Sequence, residues 1–375
     1  MVYGSPMRYL ATLLPLLALL SACSSKPKPA ENLPIGSPPQ GGFLLQPGHT
    51  GPLLNGDFAS NPATEAFIDK MVREHGFERQ QLHDVLAQTQ RLDWVLRLMD
   101  RQAPVGLPPS GPNGAWLRYR GKFITPDNVQ NGVAFWNQYS DALERARQVY
   151  GVPPEIIVGI IGVETRWGRV MGKTRIIDAL ATLAFAYPRR ADYFAGELET
   201  FLLMSRSEGD DPLALRGSYA GAMGYGQFMP SSFKNYAVDF DGDGHINLWD
   251  PVDAIGSVAN YFKAHGWVEG GAVAVPASGQ APFLDQGFDT RYPVATLAAT
   301  GLTPQGSLGG YQEASLLRLD FGSQYQYWYG LPNFYAITRY NHSTHYAMAV
   351  WQLGEAVGQA RQGGMSSFAS LSPGQ

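Results

Sequence analysis

Apolar residues recur at helical spacing as soon as the chain passes Asn61. Phe67, Ile68, Met71 and Val72 form one stripe, Leu82, Val85 and Leu86 a second, and Trp94, Val95, Leu98 and Met99 a third. A Pro/Gly-rich connection over 102–115 separates these stripes from a longer helix expected over 126–150. Thr125-Pro126-Asp127 gives that helix its start signal, and Val133, Trp136, Leu143 and Val149 make its apolar side. The next segment departs from amphipathic patterning. Val152-Pro153-Pro154-Glu155 opens a helix whose body, IIVGIIGVE, is apolar on every face, and such a helix belongs at the centre of a core. Two further helices are expected over 176–186 and 188–206. Beyond Trp267 the texture changes. Residues 270–330 are rich in Gly, Pro, Val, Thr and aromatics, with short runs such as SLLRLDF and YQYWYG, and read as a small β-rich insert. Helical period returns over 344–360, and no internal repeat is visible. The pattern predicts an α+β fold that is mainly α.

The first residues stand apart from this pattern. Arg8 supplies a positive charge ahead of the short apolar run LATLLPLLALLSA, too short to span a bilayer comfortably, which fits an export signal over 1–22. Leu20-Ser21-Ala22-Cys23 has the form of a lipoprotein processing site, with cleavage before Cys23 and lipid on its sulfur. By resemblance to Gram-negative lipoproteins, Ser24 after the cysteine implies sorting to the inner leaflet of the outer membrane, hence a lipid-anchored protein on its periplasmic side. The Pro/Gly/Ser-rich stretch up to residue 56 reads as a flexible tether.

Composition narrows the function. Cys23 is the single cysteine of 375 residues, so no internal disulfide is possible and the fold rests on its apolar core. Charged residues make up only 16% of the chain and the net charge is −4, which leaves no electrostatic footprint for nucleic acid. Low charge with 12% aromatics suits a groove for a neutral polar polymer.

Against that background one carboxylate stands out. Glu164, in GVETRWG, ends the wholly apolar helix. Desolvation there and the negative end of the helix dipole both favour its protonated form, the form that protonates a glycosidic oxygen. From this segment alone a structural pairing with Arg166 or Arg169 is an equal alternative. Two other segments tip the balance. In GSYAGAMGYGQFMP, over 217–230, repeated glycines imply a close backbone approach, and Ser218 and Gln227 offer hydroxyl and amide groups of the kind that bind sugars. Arg339-Tyr340-Asn341-His342-Ser343-Thr344-His345-Tyr346 is an aromatic and amide cluster expected on a loop before a helix.

A metal loop is also legible. Asp239-Phe240-Asp241-Gly242-Asp243-Gly244-His245-Ile246 carries carboxylates at loop positions 1, 3 and 5, glycine at 6, a backbone carbonyl from His245 at 7 and an apolar residue at 8. This is the EF-hand template, and it predicts a single structural calcium site. Its far end departs from the template, because position 12 is Asp250 and not Glu. Asp250-Pro251 is also a helix start, and an Asp250 committed to capping leaves Asp253 to close the site. Asp253 is favoured here, with Asp250 as the alternative.

An apolar helix ending in Glu, a GAMGYGQF segment and a late Tyr-Asn pair together resemble the lytic transglycosylases of the lysozyme superfamily. GVETRWGRVMGKTRIIDAL, the YPRR segment and the calcium loop resemble the membrane-bound B family in particular. The resemblance runs from about residue 58 onward. It implies a lysozyme-like helical core, with the family's catalytic Glu on Glu164 and its serine and glutamine on Ser218 and Gln227. It also places the Tyr-Asn pair on Tyr340 and Asn341, a further tyrosine on Tyr346, and groove residues on Tyr119, Arg189, Arg190 and Tyr261. The closing calcium ligand of the family falls on Asp253. The implied domains are a signal peptide over 1–22, a lipidated tether over 23–56 and a flanking helical domain over 57–150. A catalytic core with the calcium loop follows over 151–269, then the β insert over 270–330 and a return to the core with a C-terminal helix over 331–375. The implied activity is a lyase-type, non-hydrolytic cut of peptidoglycan glycan strands between N-acetylmuramic acid and N-acetylglucosamine, leaving a 1,6-anhydro sugar. No organic cofactor is expected, and the expected partners are glycan strands and other enzymes of wall synthesis or hydrolysis. A hydrolytic muramidase, a non-catalytic wall-binding scaffold and a calcium-sensing adaptor are the rival readings. Intact Glu164, Ser218 and Gln227 argue against the scaffold, and a lone calcium loop argues against the adaptor.

Overall fold

The computed structural model describes residues 55–101 and 111–363. The expectations placed on the signal segment, on Cys23 and on the tether up to residue 54 lie outside the described residues.

The three early stripes form α1 (Pro62–His75), α2 (Arg79–Ala87) and α3 (Asp93–Arg101). Asn61 caps α1 by accepting from the Ala63 N–H at 2.9 Å. A short α4 (Ala115–Arg120) comes next. The single helix expected over 126–150 is two, α5 (Pro126–Gln138) and α6 (Ser140–Tyr150). Tyr139 leaves helical geometry at φ −114°, ψ 29°, and this resets the phase of α6 relative to α5. Val149, expected on the apolar side, is 56% exposed as a result. The apolar segment forms α7 (Pro154–Thr165), buried at every position but Glu155 and Glu164. Then come β1 (Thr174–Arg175), α8 (Ile176–Ala186), a 3-10 turn at Pro188–Arg190, and α9 (Ala191–Glu208). β2 (Arg216–Gly217), α10 (Pro230–Tyr236) and α11 (Pro251–Ala264) precede the insert. The insert holds β3 (Ala274–Ser278), β4 (Tyr292–Pro293), α12 (Val294–Ala299), β5 (Thr303–Pro304), β6 (Glu313–Asp320) and β7 (Tyr325–Gly330). The chain ends its described part with α13 (Pro332–Tyr340) and α14 (Thr344–Gly363). The loop expected before α14 is therefore short. Arg339 and Tyr340 close α13, and only Asn341, His342 and Ser343 connect it to α14.

The described residues form two compact units. The first takes 111–169 and 255–363, the second 55–101 and 170–254. In the first, α7 packs along α14 with their backbones nearly touching. A Cβ added to Gly159 would stand 2.3 Å from the Val350 carbonyl oxygen, and one added to Gly354 would stand 2.0 Å from that of Glu155. Only glycine fits at either point, so IIVGIIGVE owes its glycines to helix contact. Trp167 lies beyond the end of α7 in the left-handed region (φ 57°) and folds back, donating its indole N–H to the Val158 carbonyl at 3.2 Å. The insert is an antiparallel sheet of order β4-β6-β7-β3-β5 over its own apolar cluster, which includes Leu297, Leu316, Tyr327 and Tyr329. Asp320, at the end of β6, accepts the N–H of Asn113 and of Gly114, each at 2.8 Å, and so fixes the start of α4. Burial works against its charged form, but these backbone donors hold its pKa below the usual value.

The second unit is built around α8 and α9. Asp178 on α8 accepts two hydrogen bonds from Arg175, at 2.7 and 2.9 Å, and one from the Gln90 N–H at 2.9 Å. The buried Glu197 of α9 reaches the start of α10, accepting the Ser231 hydroxyl at 2.6 Å and its N–H at 2.8 Å. Burial pushes Glu197 up, against these donors.

Candidate active site

Glu164 is the penultimate residue of α7. The residue keeps some exposed surface, but its carboxyl group is enclosed by protein. Its Oε1 accepts the Tyr346 hydroxyl at 2.5 Å, from the first turn of α14. Desolvation pushes the carboxyl up to about 7, and the Tyr346 bond offsets only part of that push. The Arg-pairing alternative yields to this. Arg166 and Arg169 are exposed, and among the described residues Glu164 makes no ion pair.

Tyrosines surround the carboxyl. Burial first, and the charge of Glu164 next, raise the pKa of Tyr119, Tyr340 and Tyr346, so all three are neutral donors beside it. Each is held from behind. Tyr119 packs on Trp116 and His345, at 6.3 and 5.5 Å between ring centroids. Tyr340 packs edge-on against Tyr261 at 4.8 Å, and the Tyr261 hydroxyl donates to the Arg339 carbonyl at 2.6 Å. Asn341 is buried in extended conformation between α13 and α14. Thus the first unit gathers Glu164 with Tyr119, Tyr340 and Tyr346, and Tyr261 supports Tyr340. Among the described residues of that unit, no Asp or Glu contributes to the shift at Glu164.

Ser218, Gln227, Arg189 and Arg190 belong to the second unit. The Ser218 hydroxyl accepts from the N–H groups of Ala220 at 3.2 Å and Ala222 at 2.9 Å, which folds the glycine-rich segment into a tight turn. Gln227 is a buried non-glycine residue in the left-handed region (φ 53°), a conformation that costs about 1–3 kcal/mol and concentrates at functional sites. Its Nε2 donates to the carbonyls of Gly224 at 2.9 Å and Met171 at 3.3 Å, which orients the amide. The close backbone approach expected of these glycines is met within the protein at two of them. A Cβ on Gly217 would meet the Ala222 carbonyl oxygen at 2.1 Å, and one on Gly224 that of Leu248 at 2.1 Å. Arg190 lies over the Tyr193 ring at 4.2 Å, whereas Arg189 is largely exposed with only a 3.8 Å contact to Asp100.

The acidic loop is ordered by its own carboxylates. Carboxylate oxygens of Asp239, Asp241 and Asp243 lie within 4.8 Å of one another, and those of Asp241, Asp250 and Asp253 form a second such group. Asp239 accepts from Gly242 N at 2.7 Å and Gly244 N at 2.9 Å, while Asp243 accepts from His245 N at 2.8 Å. Asp250 caps α11 through Val252 N at 2.6 Å. The buried Asp253 turns back as expected, accepting Phe240 N at 2.7 Å and Asn247 N at 2.8 Å, one from each limb of the loop. Hard oxygen donors converging from a flexible turn fit calcium.

A model of the transglycosylase SLT domain matches residues 59–355. The chain belongs to that family. This SLT-domain enzyme is 75% identical over 356 residues to membrane-bound lytic murein transglycosylase B of Escherichia coli (strain K12), covering 94% of this chain and 99% of that protein. The solved structure of the E. coli lytic transglycosylase Slt35 in complex with calcium superposes with a TM-score of 0.81 at 75% identity, over 85% of this chain and 99% of the other. SltB3 of Pseudomonas aeruginosa, solved in complex with NAG-anhNAM-pentapeptide, aligns with a TM-score of 0.69 at 31% identity, over 80% of this chain and 79% of the other. The fold is thereby the expected one, lysozyme-like and mainly helical with a small sheet.

Sequence reasoning missed some of this transglycosylase's site. Trp116 and His345 back Tyr119, and Trp167 closes the end of the helix that carries Glu164. The i, i+3 spacing of Trp116 and Tyr119 was the available signal for the first. The pairing of α4 with the start of α14 had none, because it is a tertiary contact.

Proposed function

We propose that this chain cuts peptidoglycan glycan strands at the β-1,4 bond between N-acetylmuramic acid and N-acetylglucosamine, leaving 1,6-anhydro-muramoyl ends. The observation that carries this reading is the enclosed Glu164 carboxyl, pushed up to about 7, bonded by the Tyr346 hydroxyl and with no second carboxylate among the groups that shift it. Glu164 protonates the glycosidic oxygen, the C1–O bond breaks, and its electron pair leaves with the N-acetylglucosamine O4. A retaining lysozyme meets the resulting oxocarbenium character with a second carboxylate about 5–5.5 Å from the first. Here the substrate's own acetamido oxygen serves instead. The Glu164 carboxylate then takes the proton of the muramoyl 6-hydroxyl, O6 bonds to C1, and no water is consumed. Tyr346 holds the carboxyl, while Tyr119, Tyr340, Asn341 and Tyr261, with Ser218, Gln227, Arg189 and Arg190, take up sugar and stem-peptide groups. The fragment named with the SltB3 structure contains an anhydro sugar, which supports this product.

Calcium is proposed as a single structural ion held by Asp239, Asp241, Asp243, the His245 carbonyl and Asp253, with Asp250 kept for capping. It supplies charge neutralisation to a crowded loop and takes no part in the reaction. Lipid on Cys23 is proposed to anchor the enzyme to the periplasmic face of the outer membrane, a reading supported by the membrane-bound relative.

Mass spectrometry of sacculi digested by the full chain tests the mechanism. Anhydro ends from the wild type, and at least a hundredfold loss with Glu164→Gln, are expected, since general acid catalysis is worth roughly 10²–10⁴. Reducing ends would make the enzyme a hydrolytic muramidase.

A further inference from the structure

An exposed tryptophan and a half-buried tyrosine of the glycine-rich turn stand together in the second unit. Trp94, in the first turn of α3, is 44% exposed. An exposed tryptophan offers a broad apolar ring face with a polar N–H, the kind of surface that suits binding to an amphipathic partner. Its ring centroid lies 6.4 Å from that of Tyr219 at an interplanar angle of 59°. Tyr219 directly follows Ser218, whose hydroxyl organises the turn. The outward pose of Trp94 is imposed. α3 buries Val95 and Met99, and the residues leading into it are tied to α8, with Gln90 N donating to Asp178 and Leu92 N to Thr182 Oγ, both at 2.9 Å. With its rotation fixed in this way, α3 presents Trp94 and, three residues on, the exposed Arg97. Near the other end of the helix Arg189 approaches Asp100 at 3.8 Å, with both side chains more than 60% exposed, so that pair is weak and the guanidinium is available.

We propose that the Trp94 ring, flanked by the tilted Tyr219 ring, is an aromatic platform that binds a pyranose ring of the glycan strand, with Arg97 joining Arg189 in meeting the carboxylates of its stem peptides. This rests on the glycan-cleaving reading and extends it to a further sugar subsite. The C–H face of a pyranose packs on aromatic ring faces as other apolar surfaces do, and guanidinium forks match peptide carboxylates.

The test uses the full-length chain and uncross-linked, soluble peptidoglycan strands. Trp94→Ala is expected to raise KM on these strands about tenfold, the loss typical of one aromatic anchor, with the effect falling in KM and not in kcat. Trp94→Phe should restore most of the affinity, and melting curves should coincide with wild type because Val95 and Met99 are untouched. Calorimetric titration of the same strands into Glu164→Gln and into Glu164→Gln/Trp94→Ala reads binding without cleavage, and the double variant should bind about tenfold more weakly. An unchanged KM, or equal binding by the two inactive variants, overturns the platform. Failure of Glu164→Gln to stop cleavage would instead overturn the mechanism, and the KM comparison between wild type and Trp94→Ala would still decide the platform.

Discussion

At the scale of single residues, the chemistry follows from where one carboxyl is held. Desolvation raises Glu164 to about 7, so kcat/KM should climb as pH falls through that value, because the acid must carry its proton. Tyr346→Phe removes the one hydrogen bond that opposes desolvation, and should move this limb of the pH–rate profile to higher pH. A profile that stays put would detach Tyr346 from the acid. The same shift acts on stability. Between the ordinary carboxyl value of 4.5 and about 7 the folded state binds more protons than the unfolded, so stability falls as pH rises through that window. The loss amounts to about 3 kcal/mol at most, and Glu164→Gln should abolish it in melts run at pH 5 and pH 8. Glu164 was legible because the apolar run that marks it is its own helix, whereas the tyrosines that enclose it come from α4, α13 and α14. The left-handed backbone of Gln227 was not, because nothing in GYGQF distinguishes that residue from an ordinary turn position until the turn is closed.

At the scale of elements, packing decides what periodicity leaves open. The stripes identified α1 to α3 because each helix buries one face. They missed the break at Tyr139 and the separate α13, where aromatic and polar residues mix and the apolar phase is short. Replacing a helical glycine by alanine ordinarily favours the helix by about 1 kcal/mol. At Gly159 and Gly354 the sign should reverse, because the new methyl meets carbonyl oxygen at 2.3 and 2.0 Å. Overpacking of this kind costs about 1–3 kcal/mol, measurable as a lowered Tm, and should also depress activity because α7 carries Glu164 and α14 carries Tyr346. The β insert has a mechanical part as well. Asp320→Ala frees the start of α4, on which Trp116 and Tyr119 ride, and should reduce kcat/KM severalfold without displacing the pH limb set by Glu164.

At the scale of the whole molecule, the acidic loop and the chain order matter most. Calcium should raise the Tm by linkage, about 2.7 kcal/mol at a hundredfold excess over Kd, and Asp239→Ala should remove the increase. A Tm indifferent to millimolar calcium would reduce the loop to a turn. The loop was legible down to Asp253 because ligand spacing is a local property, whereas the division into two units was not, since each unit is assembled from stretches far apart in sequence. That assembly has a temporal side. The contact between Glu164 and Tyr346 spans 182 positions, and the helix that wedges against α7 is the last element of the described chain. A ribosome therefore releases the acid long before it releases the hydroxyl and the helix that hold it. A chain stopped between Glu164 and Tyr346 carries the proposed acid without the hydroxyl and helix that frame it, so an enzyme built in this order should stay inactive until α14 has been made.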